Sequence, residues 1–183
     1  MANSPPLPRQ ARDLPEMRVL CGRLVPGETP KFVRLDVPPW AEANECTDNV
    51  ARVIKEFGGE AVNGWRLWEP LPDLMIEAEF HVVWRRPEGS LLDVSPHFPG
   101  FTETVFLPDP GLEYEGRQIP NERVPLVKDT LVREFIEALE AEYEVMNRAE
   151  LADYHGLITP TPEMEEIKVR QQALFAQIAQ MHY

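Results

Sequence analysis

The spacing of apolar positions alternates along the chain between strand-like and helical, and each change predicts a new element. Met17 to Val25 and Lys31 to Val37 carry strand-like apolar residues, separated by the turn signal Pro26-Gly27-Glu28-Thr29-Pro30. Pro38-Pro39-Trp40 then breaks the pattern. Cys46, Val50, Val53 and Phe57 follow at intervals of four, three and four, with Ile54 beside them, and this stripe predicts an α-helix. Gly58-Gly59 supplies its C-cap, and Asn44 or Thr47 is the expected N-cap. From Ala61 the pattern is β. Val62 to Trp68, Leu74 to Trp84, Ser90 to Val94 and Thr102 to Leu107 read as strands, and Arg85 to Ser90 as a hairpin connection. Asp109 to Pro125 reads as irregular. A long helix is expected from about Lys128 to Ala149, with Val132, Ile136, Leu139, Tyr143 and Met146 on one stripe. A second helix follows Pro160-Thr161-Pro162, with Met164, Ile167, Leu174, Ile178 and Met181 on its stripe.

These elements predict an α+β fold: an antiparallel sheet of about four to six strands, a packed helix bearing Cys46, and a helical C-terminal third. Residues 1–16 are expected to be a flexible proline-rich lead-in, 17–125 an α+β core domain, and 126–183 a helical hairpin packed on the core or on a partner.

Composition narrows the function. Hydrophobic content of 43% and charged content of 27% are ordinary for a globular protein, and the 19 prolines cluster between the predicted elements. Net charge is −13, from 18 Lys plus Arg against 31 Asp plus Glu, a balance that repels phosphate backbones and anionic membrane surfaces. Nucleic acid and membrane are therefore not expected partners. Cys21 and Cys46 cannot build a disulfide framework, and the N-terminus has no apolar signal core, so a cytoplasmic location with both thiols reduced is expected.

Chemistry concentrates at Cys46, His81 and Asp93. A thiol at a helix start, an imidazole on a strand and a carboxylate on the neighbouring strand can meet at one point. A cysteine attacks as the thiolate, which a helix N-terminus and an adjacent imidazole both favour, and a carboxylate fixes the ring. If Arg85 to Ser90 form the hairpin connection, Asp93 comes opposite residues near His81 to Val83, and the register decides whether the side chains share a face.

The segments His81-Val82-Val83-Trp84 and Asp93-Val94-Ser95-Pro96, following Cys46 at a helix start, resemble the papain-like superfamily and, within it, the transglutaminase-like proteins. The resemblance covers roughly residues 40 to 96. It implies Cys46 as nucleophile, His81 as general base and Asp93 as orienting carboxylate of a cysteine hydrolase or acyl-transfer enzyme, acting on an amide or thioester without a cofactor. The chain departs from the pattern in the compact spacing between Cys46 and His81, and in having no glutamine placed upstream as an oxyanion donor. Asn44, the indole N–H of Trp40 or the Cys46 backbone N–H would supply that bond instead. Trp65, Trp68 and Trp84 are candidates for a substrate groove, although aromatic residues in strands more often build core.

Two other readings use the same residues. Cys46, His81, Asp93 and His97 are acceptable zinc ligands by type, with Glu77 and Glu79 on the strand face of His81, but no paired-ligand motif accompanies them. Alternatively the protein is a non-catalytic interaction or ligand-binding module. The apolar stripe and acidic face (Glu134, Glu137, Glu140, Glu144) of the C-terminal helices would then suit a partner helix or a homodimer seam.

Overall fold

The structure, a computed structural model, describes residues 6–153 and 159–183. Its strands are β1 (Arg9–Gln10), β2 (Lys31–Leu35), β3 (Glu60–Leu71), β4 (Met75–Arg85), β5 (Leu91–Asp93), β6 (Glu103–Pro108) and β7 (Glu122–Pro125). Its helices are α1 (Pro15–Leu24), α2 (Cys46–Phe57), α3 (Thr130–Met146) and α4 (Pro162–His182), with a short 3₁₀ turn at Ala149–Asp153.

The fold is α+β, but the sheet is mixed and closed rather than purely antiparallel. Strand order is β1-β3-β6-β2-β5-β4-β7, and β3 also pairs with β4, so β3, β6, β2, β5 and β4 form a ring. The pairing of β2 with β5 is parallel, with Arg34 opposite Leu92 and Leu35 opposite Asp93. Strand periodicity reports a buried face but not a partner, so neither feature follows from the sequence pattern. Closure brings β6 hard against β3 at Gly64. A Cβ there would lie 2.2 Å from the Leu107 carbonyl oxygen and 2.6 Å from the Phe106 ring, so only glycine fits.

Alternating residues of β4 divide between two environments. Val82 and Trp84, with Leu92 and Val94, pack on Val50 and Val53 of α2. Val83 turns the other way and meets Val33 and Phe106 inside the barrel. A second layer forms where Met17, Leu20 and Cys21 of α1 cover Trp65, Leu67, Ile76 and Val105. Val132 and Ile136 of α3 and Ile178 of α4 close over Leu71, Leu74 and Met75.

Several expectations are corrected. Met17 to Val25 is not a strand but most of α1. Pro15 opens the helix, Glu16 lies in its first turn, and Met17, Leu20 and Cys21 form its buried stripe. Cys21 is therefore a helical core residue, its thiol 3.4 Å from the Met17 sulfur. The Asp109–Pro125 region contains β7, which pairs with β4 from Met75 to Ala78. In α4, Met164, Leu174 and Ile178 are buried as expected, whereas Met181 is 65% exposed.

The proline-rich lead-in is also structured over part of its length. Gln10 pairs with Trp68, and Ala11 is buried. The cause is Glu69, whose side chain is fully buried and accepts hydrogen bonds from Arg9 (2.7 Å) and Arg12 (2.9 Å). Burial alone would raise the Glu69 pKa, but these guanidiniums and the Asp73 backbone N–H hold it low. Both arginines also reach Asp73, and Tyr183 donates its hydroxyl to the Pro72 carbonyl at 2.8 Å. The turn between β3 and β4 is thus gripped from both sides.

Candidate functional site

The β4–β5 hairpin brings two of the three candidate residues together. Trp84 pairs with Leu92 and Arg85 with Leu91. Continuing that register puts Asp93 opposite Val83, on the face that also carries His81, because side chains alternate along a strand. His81 Nε2 lies 2.8 Å from Asp93 Oδ2, and both side chains are buried. The ring stands edge-on to Phe106, at 6.5 Å between centroids. Gly64, paired with His81 across the ladder, leaves room for that phenyl ring.

Cys46 completes the group. It is the first residue of α2, after Glu45 as N-cap; neither Asn44 nor Thr47 caps the helix, and Asn44 instead adopts a left-handed conformation (φ 66°). The segment before Cys46 is fastened by buried Asn49, one turn further along. Its side chain accepts from the Glu42 N–H at 3.0 Å and donates to the Glu42 carbonyl at 2.8 Å. Cys46 is partly exposed and lines the same cavity as His81, close enough for its thiol to favour the charged imidazole. With Nε2 held by Asp93, Nδ1 is the ring atom left to face the sulfur.

Electrostatics set the proton. Burial alone pulls the His81 pKa down, yet the charge and hydrogen bond of Asp93, with a smaller contribution from Cys46, raise it to about 10. The ring is therefore cationic at neutral pH. Asp93 moves the opposite way: burial opposes its ionisation, but His81 and His97 hold its carboxyl well below the usual range.

His97 is the residue whose role sequence reasoning missed, having placed it only among metal ligands. Its Nε2 lies 2.7 Å from the same Asp93 Oδ2 that serves His81, and its side chain is 2% exposed. The other oxygen, Oδ1, accepts from the Ser95 N–H at 3.0 Å. On the far side of the ring, Arg66 Nη1 lies 2.8 Å from His97 Nδ1, and Arg66 also pairs with Glu79. The contact joins Arg66 of β3 to a residue in the segment after β5 and could not be read from local pattern.

His81, Asp93 and His97 offer ligand atoms within 4.8 Å of one another. A histidine ligating through Nε2 carries its proton on Nδ1 and normally donates it to an acceptor. Here that position faces a guanidinium, which only donates. The donor set therefore fits a hydrogen-bonded network and not a metal centre.

Cys46 and His81 open onto a cavity of about 640 Å³, walled by Asn44, Glu79, Tyr114, Gln118, Asn121 and Asn147 among others. Tyr114 stacks on Phe80 at 5.3 Å. The opposite wall is tied to α3: Tyr143 donates to the Gln118 carbonyl and Asn147 to its side-chain oxygen, each at 3.0 Å. The tryptophans do not line this cavity. Trp65 donates its indole N–H to Asp109, Trp84 donates to the Gly58 carbonyl, and Trp68 stacks on Phe98. Trp40 lies under the Arg52 guanidinium, beside Trp84, at a separate groove. Of the asparagine and tryptophan candidates, Asn44 lines the cavity with Cys46. Glu77, expected near His81, instead pairs with Arg123 and Asn121.

The chain matches no family model, no curated protein and no solved structure.

Proposed function

We propose that the protein is a cysteine hydrolase or acyl-transfer enzyme, acting on an amide or thioester through Cys46 as nucleophile. One observation carries this reading: an imidazole fixed at Nε2 by a buried carboxylate shares the wall of one cavity with a thiol at a helix start. The reading also draws on the resemblance to papain-like and transglutaminase-like proteins, which implies the same three roles.

In the proposed reaction the Cys46 sulfur attacks the substrate carbonyl as a thiolate and forms a carbon–sulfur bond. The carbonyl oxygen takes up the electron pair and accepts hydrogen bonds from the Cys46 backbone N–H, which has no partner within its helix, and from Asn44. As the tetrahedral intermediate collapses, the bond to the leaving nitrogen or sulfur breaks, and the His81 imidazolium donates its proton to that atom. A thioester on Cys46 remains. Water or an acceptor amine then gives its proton to neutral His81 and attacks the thioester, releasing the acyl product and restoring the ion pair. Asp93 keeps the ring oriented through both steps.

Reactivity tests this without a known substrate. Iodoacetamide at pH 6 should label Cys46 at least tenfold faster than Cys21, whose thiol is pushed up to about 11 by burial. His81→Ala should slow the Cys46 reaction about tenfold or more, and Asp93→Ala less. With p-nitrophenyl acetate, intact mass should show one acetyl group on the wild type and none on Cys46→Ala. Equal labelling of both thiols with no acetyl adduct would reject the enzyme reading in favour of a non-catalytic scaffold.

A further inference from the structure

Asp93 Oδ2 is approached by two imidazoles, and the charges around them decide how the protons are shared. Arg66 Nη1 lies 2.8 Å from His97 Nδ1. A guanidinium stays protonated throughout the accessible pH range and has no lone pair to offer, so His97 Nδ1 must accept. The single proton of the ring then sits on Nε2, where it is donated to Asp93 at 2.7 Å. A second proton on Nδ1 would set N–H against N–H.

We propose that His97 is a positioning residue, locked by Arg66 as the neutral Nε2–H tautomer, which holds the Asp93 carboxylate for His81 without competing for its charge. The proposal rests on the reading of Cys46 and His81 as a working pair, but its tautomer assignment stands apart from reactivity.

The geometry gives the lock its consequence. With Ser95 N–H on Oδ1 and His97 on Oδ2, both carboxylate oxygens are fastened before His81 is counted, so the aspartate cannot rotate away from the ring. Were His97 cationic, two imidazoliums with centroids 5.5 Å apart would share one negative charge. The charged and titratable groups around His97 are Asp93 of β5, His81 of β4 and Arg66 of β3, with Glu79 of β4 behind the guanidinium. Burial, the first cause, and the nearby Arg66 and His81 charges lower the His97 pKa, while Asp93 opposes them, which agrees with a neutral ring.

Nitrogen-15 spectra of the imidazoles test the assignment directly. His97 should remain one neutral tautomer, protonated at Nε2 alone, from pH 5 to 8, while His81 stays doubly protonated. A doubly protonated His97, or the Nδ1–H tautomer, overturns the proposal. The positioning role is read from Cys46 alkylation. His97→Phe, which keeps ring volume but removes the donor, should slow labelling about tenfold, whereas His97→Gln, which returns an N–H near the same place, should stay within about threefold of wild type. Equal rates in all three overturn it. If His97→Phe does not fold, Arg66→Met decides. Freed of the guanidinium, His97 should titrate between pH 5 and 8, and the labelling rate should change at the same pH; a ring that still does not titrate overturns the lock. An inert Cys46 in the wild type would instead remove the proposed function and leave the tautomer result to stand on its own.

Discussion

At the scale of single residues, the Asp93–His81 contact makes stability depend on pH in a window its two members define. His81 has a pKa raised from 6.5 to about 10, so its contribution is complete below pH 6.5 and is lost as pH rises through 10. Asp93 has a pKa depressed from 3.8, so its contribution is complete above that value and is lost as pH falls below it. The pair therefore stabilises the fold most between about pH 4 and 6.5. We expect the melting-temperature difference between wild type and Asp93→Asn to be largest in that window and to shrink steadily toward pH 10. A difference that stays flat from pH 7 to 10 would mean that His81 is neutral in the folded protein.

Elements show why some of this was legible in the sequence and some was not. Arg85 to Ser90 marked a hairpin, and a hairpin fixes register, so the approach of Asp93 to the His81 face could be anticipated. The stripe from Cys46 to Val53 placed the thiol at a helix start. Local signals failed where the deciding partner is distant. In Met17 to Val25 the apolar residues suited either period, and the helix is selected by Pro15 and by the face that α1 lays on Trp65 and Leu67. The tryptophans looked like a groove because indoles suit ligands and cores equally, and here Trp65 and Trp84 donate their N–H groups within the protein while the Trp68 ring stacks on Phe98. His97, in the segment after β5, gained its role from Arg66 on distant β3. Gly64 tests how tightly the ring of strands is drawn. Gly64→Ala must force β6 from β3, and we expect a loss of about 3 kcal/mol in urea unfolding, at the upper end for overpacking. A change below about 1 kcal/mol would show that the two strands separate easily at this point.

For the whole molecule, five strands closed into a ring leave their edges paired, and β1 and β7 extend along the remaining lengths of β3 and β4. Among the described residues no helix is long and apolar enough to cross a membrane. The turn between β3 and β4 holds Arg9 and Arg12 on one side and Tyr183 on the other, so segments from opposite parts of the sequence share one fastening. Such an arrangement has a mechanical consequence: slack introduced on one side should be felt on the other. Arg9→Ala with Arg12→Ala strands the Glu69 carboxylate in the interior, at a cost of about 3 kcal/mol, the low end for a broken buried pair because both guanidiniums are partly screened by solvent. In limited trypsin digestion of that variant, cutting at Lys168 and Arg170 of α4 should accelerate although neither residue was altered. Unchanged cutting there would mean that the two halves of the clasp open independently. If they open together, the protein's resistance to proteases is set by one short turn, and α4 survives in the cell only as long as the strand at the other end of the chain stays tied down.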